Sequence, residues 1–316
     1  MSRFTFFGGK GGVGKTSMSA AFAHKRARAG EDVLLVSTDP AHSTADVFDQ
    51  SLGDEPTPID SYETLDAIEI DPEQEVTDHL LETKRALGDQ VSAGIVNEID
   101  RQIELAHQTP GAHESALFDR FIELMRDADH DRVVFDTSPT GGTLRLLSLP
   151  EYLGSWIERL VEKREASIDL YEKAAIGSRE PRRSALGDPI LARLRERKER
   201  FEFARETLRT ESSFVLVANP DALSVRESER AIETLRERSL PVAGVIVNRL
   251  TPEPDDDENG RGARFLRQRI ETERERVEEL RSFEPPILAE IETRVSEVKG
   301  SFLDEVAGEL DFDATI

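Results

Sequence analysis

Residues 8–16 are Gly8-Gly9-Lys10-Gly11-Gly12-Val13-Gly14-Lys15-Thr16, between an apolar run and a stretch with the composition of a helix. From Gly9 to Thr16 the segment fits G-x-x-x-x-G-K-[ST], the phosphate-binding loop that joins a strand to a helix. Its glycines let backbone N–H groups surround phosphates, Lys15 is expected to reach the β- and γ-phosphates, and Thr16 to hold Mg²⁺. We therefore predict a nucleotide site formed by Gly9, Lys10, Gly11, Gly12, Val13, Gly14, Lys15, Thr16 and Ser17.

Short apolar runs alternate with longer amphipathic segments along the rest of the chain. The predicted strands are Arg3–Phe7, Val33–Ser37, Leu65–Ile70, Val133–Thr137, Phe214–Ala218, Val242–Asn248 and Pro286–Leu288. Most of them lack polar alternation, as strands buried on both faces do. The pattern predicts an α/β fold, with a doubly wound, mostly parallel sheet of about seven or eight strands joined by βαβ crossovers.

Two segments are too long to be simple crossovers. In 74–130, apolar residues recur every three to four positions, which marks one face of a helix. In 150–211 there are two further amphipathic stretches, the second of them rich in arginine. We predict a single P-loop domain over 1–316, with a helical subdomain contributed by about 74–130 and 150–211.

Acidic residues follow two of the predicted strands, where open parallel sheets place their ligands. Asp39 comes after the second strand, in the sequence DPAHS, and is a candidate for orienting the attacking water. Ser43 is a candidate for the Mg²⁺ shell. Asp136 ends the apolar run RVVFD and precedes a loop rich in Pro and Gly, so it occupies the position that holds Mg²⁺ directly or through water.

Composition narrows the function classes. The chain has 316 residues, no Cys and a formal charge of −23. Without thiols, disulfides, cysteine zinc sites and iron–sulfur clusters are excluded, and the strong negative charge argues against nucleic-acid binding. The few lysines and many acids suggest a halophilic source. No apolar stretch is long enough to span a membrane and no secretory signal opens the chain, so a cytoplasmic protein is expected.

Several segments together resemble the ATPase family that includes the arsenite-pump ATPase subunit and the targeting factor for tail-anchored membrane proteins. The early Lys10 in GGKGGVGKT is typical of its variant P-loop. The other segments are DPAHSTADVF, LDAIEIDP, TPGAHE of 109–114, DTSPTGGTLRLLSLP, ALSVRESER of 222–230, VNRLTP of 247–252 and EVKG of 297–300. They occur in the family's order and cover nearly the whole chain.

The resemblance implies a homodimer stabilised by ATP, with Mg²⁺ as the second cofactor. Lys10 would reach the partner's nucleotide, and Lys15 would join Lys10 and Asp39 in catalysis. Thr16, Asp39 and Asp136 would hold Mg²⁺, partly through water. Asn248 would contact adenine, and the segment before EVKG, including Val295, would form the other adenine wall.

The chain departs from the family pattern at four places. Gly142 stands where a His is usual, Asp221 replaces a Glu, and Thr293-Arg294-Val295 replace a Pro. The C-x-x-C that ties two subunits through zinc corresponds to 256–260, which contains no thiol. We expect no zinc tie, no thiol-based arsenite control, and ordinary surface or capping roles for most histidines.

Two functions stay open. The first is capture and delivery of tail-anchored or other hydrophobic clients, whose C-terminal membrane-anchor helices would enter a groove of the helical subdomain, with room for a membrane receptor. The second is a nucleotide-gated regulatory subunit that acts on a transporter or another soluble partner. Direct membrane insertion is not expected, because the C-terminal segment FLDEVAGELDFDATI carries no Lys or Arg. An open apolar groove would favour the first function, and closed helical packing the second.

Overall fold

A computed structural model describes residues 2–38, 43–71, 73–75, 77, 112–137, 157–168, 189–295 and 298–312. The first elements are β1 (Phe4–Gly9), α1 (Lys15–Arg28), β2 (Val33–Ser37), α2 (Ser43–Phe48), β3 (Thr57–Pro58), β4 (Leu65–Glu69), α3 (Ala112–Asp127) and β5 (Arg132–Asp136). The next is α4, over residues 157–168. The last are α5 (Pro189–Thr210), β6 (Ser212–Ala218), α6 (Ala222–Glu237), β7 (Val242–Leu250), α7 (Arg261–Arg281), β8 (Ile287–Glu292) and α8 (Ser301–Glu309).

The described strands form one eight-stranded sheet in the order β3-β4-β2-β5-β1-β6-β7-β8. All neighbouring strands are parallel except β3 and β4, which run antiparallel. β1 lies inside the sheet, with β5, β2, β4 and β3 on one side and β6, β7 and β8 on the other, as in a doubly wound sheet with helices on both faces. The predicted α/β fold and mostly parallel sheet are therefore confirmed.

The sheet differs most from the sequence prediction at its two edge strands, β3 and β8. Thr57–Pro58, the short edge strand β3, was not predicted, because two residues that include a proline carry no strand periodicity. The last strand extends to Glu292 instead of ending at Leu288. Glu290 and Glu292 are exposed along β8, and the acidic residues interrupt the apolar run that marked the other strands.

Neighbouring residues of β1 point to opposite faces of the sheet, and each face has its own core. Phe6 stacks on Phe135 and Phe214, with ring centroids 4.5 Å and 4.9 Å apart. On that face pack α3, α5, α6 and α7. Phe7 points the other way and meets Phe22 of α1 at 5.6 Å, in the core that α1 and α8 cover.

The parts of the predicted helical subdomain that the structure describes pack on the first of these faces. Phe118 of α3 contacts Phe201 of α5, with ring centroids 5.9 Å apart. The arginine-rich start of α5 forms ion pairs with α4 and α3, for example Lys198 with Glu158 at 2.8 Å. Most of 74–111 and 138–188 lies outside the described residues, so the subdomain stays a prediction. Within the described ranges no helix is both long and apolar enough to span a bilayer.

The parallel register brings the ends of the central strands to one level. Phe7 of β1 and Ser37 of β2 both pair with Asp136 of β5. The strand ends Gly8 and Gly9 lie beyond Phe7, so the glycine-rich loop leaves the sheet at its carboxyl edge, directly beside Asp136. This edge is where open parallel sheets bind ligands.

Candidate nucleotide-binding site

The glycines of the loop are required by its backbone path. Gly9, Gly12 and Gly14 all have positive φ, at 148°, 78° and 95°. A Cβ on Gly9 would overlap the carbonyl oxygen of Val217 in β6, and a Cβ on Gly14 would overlap Nδ2 of Asn248. The loop therefore packs against the ends of β6 and β7 in a way that only glycine permits.

Lys15 and Thr16 open helix α1 directly after the loop. The Nζ of Lys15 donates to the carbonyl oxygen of Lys10 at 3.2 Å, so the lysine folds back over the loop. No acidic residue occupies the first turn of α1. The helix N-terminus, its dipole and the buried Lys15 therefore place positive charge on one spot, where the phosphates of a nucleotide would lie.

Thr16 and Asp136 meet across the gap between α1 and β5. The hydroxyl of Thr16 donates to Oδ2 of Asp136 at 2.6 Å, and Asp136 is almost fully buried. A hydroxyl and a carboxylate are the oxygen donors that Mg²⁺ prefers, and Mg²⁺ usually takes one or two protein ligands together with phosphate and water oxygens. Among the described residues no group of three or more His, Cys, Asp or Glu gathers into a metal cage. The donor set beside the loop suits Mg²⁺ carried by a nucleotide.

The strand end that carries Asp136 is tied to its neighbours by backbone contacts. The backbone N–H of Thr38 donates to the carbonyl oxygen of Asp136 at 3.1 Å. The hydroxyl of Thr137 donates to the carbonyl oxygen of Phe7 at 2.7 Å. Residues 138–142, including Gly142, lie outside the described residues. Asp136 is thus held in place at the carboxyl end of β5.

Asp39, the predicted water-orienting residue, also lies outside the described residues, together with 40–42. The described residues resume at α2. The start of this helix is capped by Glu69, a residue for which the sequence predicted no role. Glu69 is buried at the end of β4, and its Oε1 accepts from the backbone N–H groups of Thr44 and Ala45 at 3.0 Å and 2.9 Å. The available signal was an acidic residue near the carboxyl end of the predicted strand LDAIEI.

Next to the loop lies a cavity of about 330 Å³. Its wall consists of Gly14, Ser17, Met18, Asp46, Val47, Asn248, Arg249, Ile291, Glu292, Thr293, Arg294, Val298, Lys299 and Val306. The Nδ2 of Asn248 donates to the carbonyl oxygen of Val13 at 2.7 Å, and its Oδ1 accepts from the N–H of Arg249 at 2.9 Å. The predicted contact Val295 is fully exposed and is not part of this wall.

Lys10 of the loop lies near enough to Asp221 for its charge to act on that carboxylate. Asp221 caps α6, accepting from the N–H groups of Leu223 and Ser224 at 3.0 Å and 2.9 Å. Partial burial opposes ionisation of Asp221, but hydrogen bonds from Ser224 and the charge of Lys10 outweigh it, so its pKa lies below the ordinary value. Lys10 itself is half-buried.

Two histidines, His24 and His130, have side-chain contacts among the described residues. His24 is buried in α1, where its Nε2 lies 2.8 Å from Asp304 of α8, and burial lowers the pKa of His24 despite the opposing charge of Asp304. His130 lies 3.0 Å from Asp66, at the amino ends of the strands and so at the other end of the sheet from the glycine-rich loop. Neither is near the loop. His24 thus fastens α8 to α1 and does not have the surface role expected of most histidines.

The sequence is similar to known proteins over almost its whole length. The model of the family described as "Anion-transporting ATPase" matches residues 2–310. A protein of Aquifex aeolicus, provisionally named arsenical pump-driving ATPase 2, is 34% identical over 283 residues, which are 89% of each chain. The protein named "ATPase get3" of Aspergillus terreus is 34% identical over 266 residues, or 81% of this chain and 75% of that one.

A halobacterial relative is matched over only part of its own length. A protein of Halobacterium salinarum, provisionally named an arsenical pump-driving ATPase, is 36% identical over 258 residues. The match covers 80% of this chain but 35% of that protein. The similarity therefore concerns one part of a longer relative, whereas it covers most of the Aquifex and Aspergillus proteins.

Proposed function

Since the chain belongs to the family of anion-transporting ATPases and is itself an ATPase, we propose that it uses ATP to capture and deliver hydrophobic membrane-protein segments, tail-anchored ones included. The contact between Thr16 and Asp136 carries the chemical part of this proposal. It joins the second residue of α1 to the residue that ends β5, at the loop where ATP phosphates would lie. Any change there on ATP binding or hydrolysis acts directly on β5.

The chemistry follows from the groups around the loop. The loop N–H groups and Lys15 would hold the phosphates and neutralise charge as water attacks the γ-phosphate in line. Thr16 and Asp136, with the predicted Asp39, would hold Mg²⁺, which supplies positive charge at the β- and γ-phosphates. Asp39 would orient the attacking water. Asn248, fixed by Val13, would face the adenine side of the cavity.

The helices that would bind a client rest on the strand that carries Asp136. Phe121 of α3 packs on Phe135, the residue before Asp136, with ring centroids 4.7 Å apart. Phe118, one turn earlier, packs on Phe201 of α5. A shift of β5 when the γ-phosphate leaves would therefore be passed to α3 and α5. This packing supports coupling between the ATP site and the helical region.

We further propose that the active form is a homodimer closed by ATP, with Lys10 of each subunit reaching the nucleotide of the other. Lys10 is half-buried in the loop, and its positive charge acts on Asp221. Since the chain has no Cys, thiolate-bound zinc cannot tie the subunits. Closure would then depend on the nucleotide alone.

The second candidate is a regulatory ATPase subunit that acts on a transporter or another soluble partner. The observation in its favour is the polar surface between α4 and α5. Arg195 and Lys198 pair with Glu165 and Glu158 at 2.6 Å and 2.8 Å, so the solvent-facing side of this contact is charged, above the apolar side chains that pack beneath it. A surface of this kind suits a soluble protein partner better than a membrane-anchor helix.

A capture experiment separates the two. The wild-type protein and Asp39→Asn, loaded with ATP and Mg²⁺ in molar salt, would be offered a single-helix C-terminal membrane anchor and a soluble control peptide. Capture of the anchor alone, stronger with Asp39→Asn and absent with Lys15→Ala, is the expected result. Normal ATP binding and dimer closure without capture would remove the client proposal and leave the regulatory one.

A further inference from the structure

The cavity beside the loop is closed on one side by residues that follow β8, here called the wall segment and taken as 293–295. Its first residue is fastened, because the backbone N–H of Thr293 donates to the carbonyl oxygen of Leu250 at 2.7 Å. Thr293, Arg294, Val298 and Lys299 line the cavity, whereas Val295 is fully exposed. The wall segment is therefore fixed to β7 at Thr293 and exposed to solvent at Val295.

Arg294 supplies a second attachment of the wall segment, to helix α8. Its Nη1 lies 3.4 Å from Oε2 of Glu305, and its Nη2 donates to Oε1 of Glu309. The two glutamates are one helical turn apart on α8, so a single guanidinium spans both. About a quarter of the Arg294 side chain is exposed. This clasp, Arg294 with Glu305 and Glu309, fixes the wall segment to the helix.

Helix α8 is a firm support for the clasp. Leu303, Val306 and Leu310 are buried in the core that α1 covers. Asp304 lies 2.8 Å from His24 and 3.0 Å from Arg28, both on α1. Because α1 begins at the phosphate loop, α8 and the loop form one packed unit, and Arg294 joins the wall segment to that unit.

We propose that Arg294 is a positioning residue for nucleotide binding: its clasp to Glu305 and Glu309 holds the nucleoside side of the cavity closed, and so sets the affinity for ADP and ATP. The proposal rests on the proposed function, in which this cavity takes the nucleoside. The clasp does not touch the phosphates or the reacting atoms. It acts on binding, so KM for ATP rises when it is lost, whereas kcat at saturation stays unchanged.

A direct contact between Arg294 and the nucleotide predicts the opposite effect of the glutamate substitutions on ADP affinity. If the guanidinium bound the nucleotide directly, Glu305 and Glu309 would compete for it, and their neutralisation would leave affinity unchanged or increase it. In a clasp, the loss of either side opens the wall. Glu292 and Lys299 also line this end of the cavity, and their charges are the same in every variant compared.

The test compares Arg294→Gln, the double variant Glu305→Gln/Glu309→Gln, and the triple variant, with calorimetry of ADP and of pyrophosphate. The first two are each expected to weaken ADP binding about fivefold, the size of a partly exposed ion-pair network. The triple variant is expected to be no weaker than either, because all three break one interaction. Pyrophosphate affinity should not change, and Arg294→Lys should restore part of the loss.

Arg236→Gln is the matched control. Arg236 pairs with Glu284 at 2.6 Å and lies in the last turn of α6, at the far end of that helix from Asp221. Its loss should change neither ligand's affinity, and urea unfolding of each variant checks that the fold is intact.

Three results would overturn the clasp. They are unchanged ADP affinity in Arg294→Gln, a loss in Arg294→Gln with none in the glutamate variant, or an equal loss for ADP and pyrophosphate. A different result would contradict the premise that this cavity takes the nucleoside. If the wild-type protein bound ADP no more tightly than pyrophosphate, the nucleoside would not be bound here, and the clasp proposal would fail with that premise. ATP turnover, measured alongside, reports on the ATPase independently.

Discussion

Both edges of the parallel sheet carry buried charge, but they use it differently. At the amino edge, Arg132 lies 2.7 Å from Glu31, which also pairs with Arg26, and donates to the carbonyl oxygen of Ser2 at 3.0 Å. The charges there satisfy one another. At the carboxyl edge, Lys15 folds back onto the backbone of its own glycine-rich loop. The first arrangement stabilises the fold, and the second holds charge ready for a ligand.

The side chains around each edge explain the difference. Arg132 is almost fully buried, and its guanidinium lies over the ring of Phe22 at 5.8 Å, so it is enclosed by packing. At the carboxyl edge Gly11 and Gly12 are exposed, and among the described residues no heavy atom beyond its chain neighbours lies within 4 Å of a Cβ built on Gly12. Exposed N–H groups beside a buried lysine form an anion site. The comparison predicts that stability and ATP affinity can be lost separately.

The largest expected effects are a loss of stability in one variant and a loss of ATP affinity in the other. Arg132→Met should lower the free energy of unfolding by about 2–3 kcal/mol, because it leaves the partly buried Glu31 with one partner, and should leave ATP affinity within about twofold. Lys15→Ala should weaken ATP binding about 100-fold or more, through loss of a charge-assisted contact, with little change in stability. Urea unfolding and calorimetry of both variants measure the two quantities.

This comparison would break if Arg132→Met weakened ATP binding as strongly as Lys15→Ala. The two edges would then be coupled through β5, which begins at Arg132 and ends at Asp136.

A smaller effect concerns pH at the amino edge. Burial opposes the ionisation of Glu31, but hydrogen bonds from Arg26 and Arg132 outweigh it, so its pKa lies below the ordinary 4.5. A carboxyl with a lowered folded pKa adds stability that is complete above pH 4.5 and is lost as pH falls through the folded pKa. Glu31→Gln should lower stability by about 1 kcal/mol at neutral pH, and the difference from wild type should shrink as the solution is acidified.

Unfolding in urea at neutral pH and at several values below 4.5 measures this difference. Glu253→Gln is a suitable control, since Glu253 is exposed and pairs only with the exposed Arg274 among the described residues. A difference between wild type and Glu31→Gln that stays constant with pH would mean that Glu31 contributes packing and not charge.

The parts of the molecule that were predicted from sequence are those with local patterns. Val33–Ser37 matches β2 at both ends, because an unbroken buried apolar run specifies a central parallel strand. The loop from Gly9 to Thr16 lies between a strand and a helix, as its motif requires. Asp136 lies beside the loop because parallel strands have their carboxyl ends on the same side of a sheet. The alternation of strands and helices in the sequence is enough to predict such a parallel sheet.

The parts that were missed depend on contacts between distant residues. Arg132 and Glu31 are 101 positions apart, and nothing near either one in sequence signals the other. Glu69 caps α2 from a strand that pairs with β2, and the clasp of Arg294 requires α8 to be docked on α1. Each of these depends on tertiary packing, which no local period encodes.

The central claim is that Thr16 and Asp136 form the Mg²⁺ end of an ATP site. The measurement that tests it most directly is ATP turnover against Mg²⁺ concentration for wild type and Thr16→Val, with Thr5→Val as control, since Thr5 is a buried hydroxyl on β1. We predict that Thr16→Val raises the half-saturating Mg²⁺ about tenfold or more, with metal-free ATP binding and Thr5→Val unchanged. A Mg²⁺ dependence identical to wild type in Thr16→Val would contradict the account.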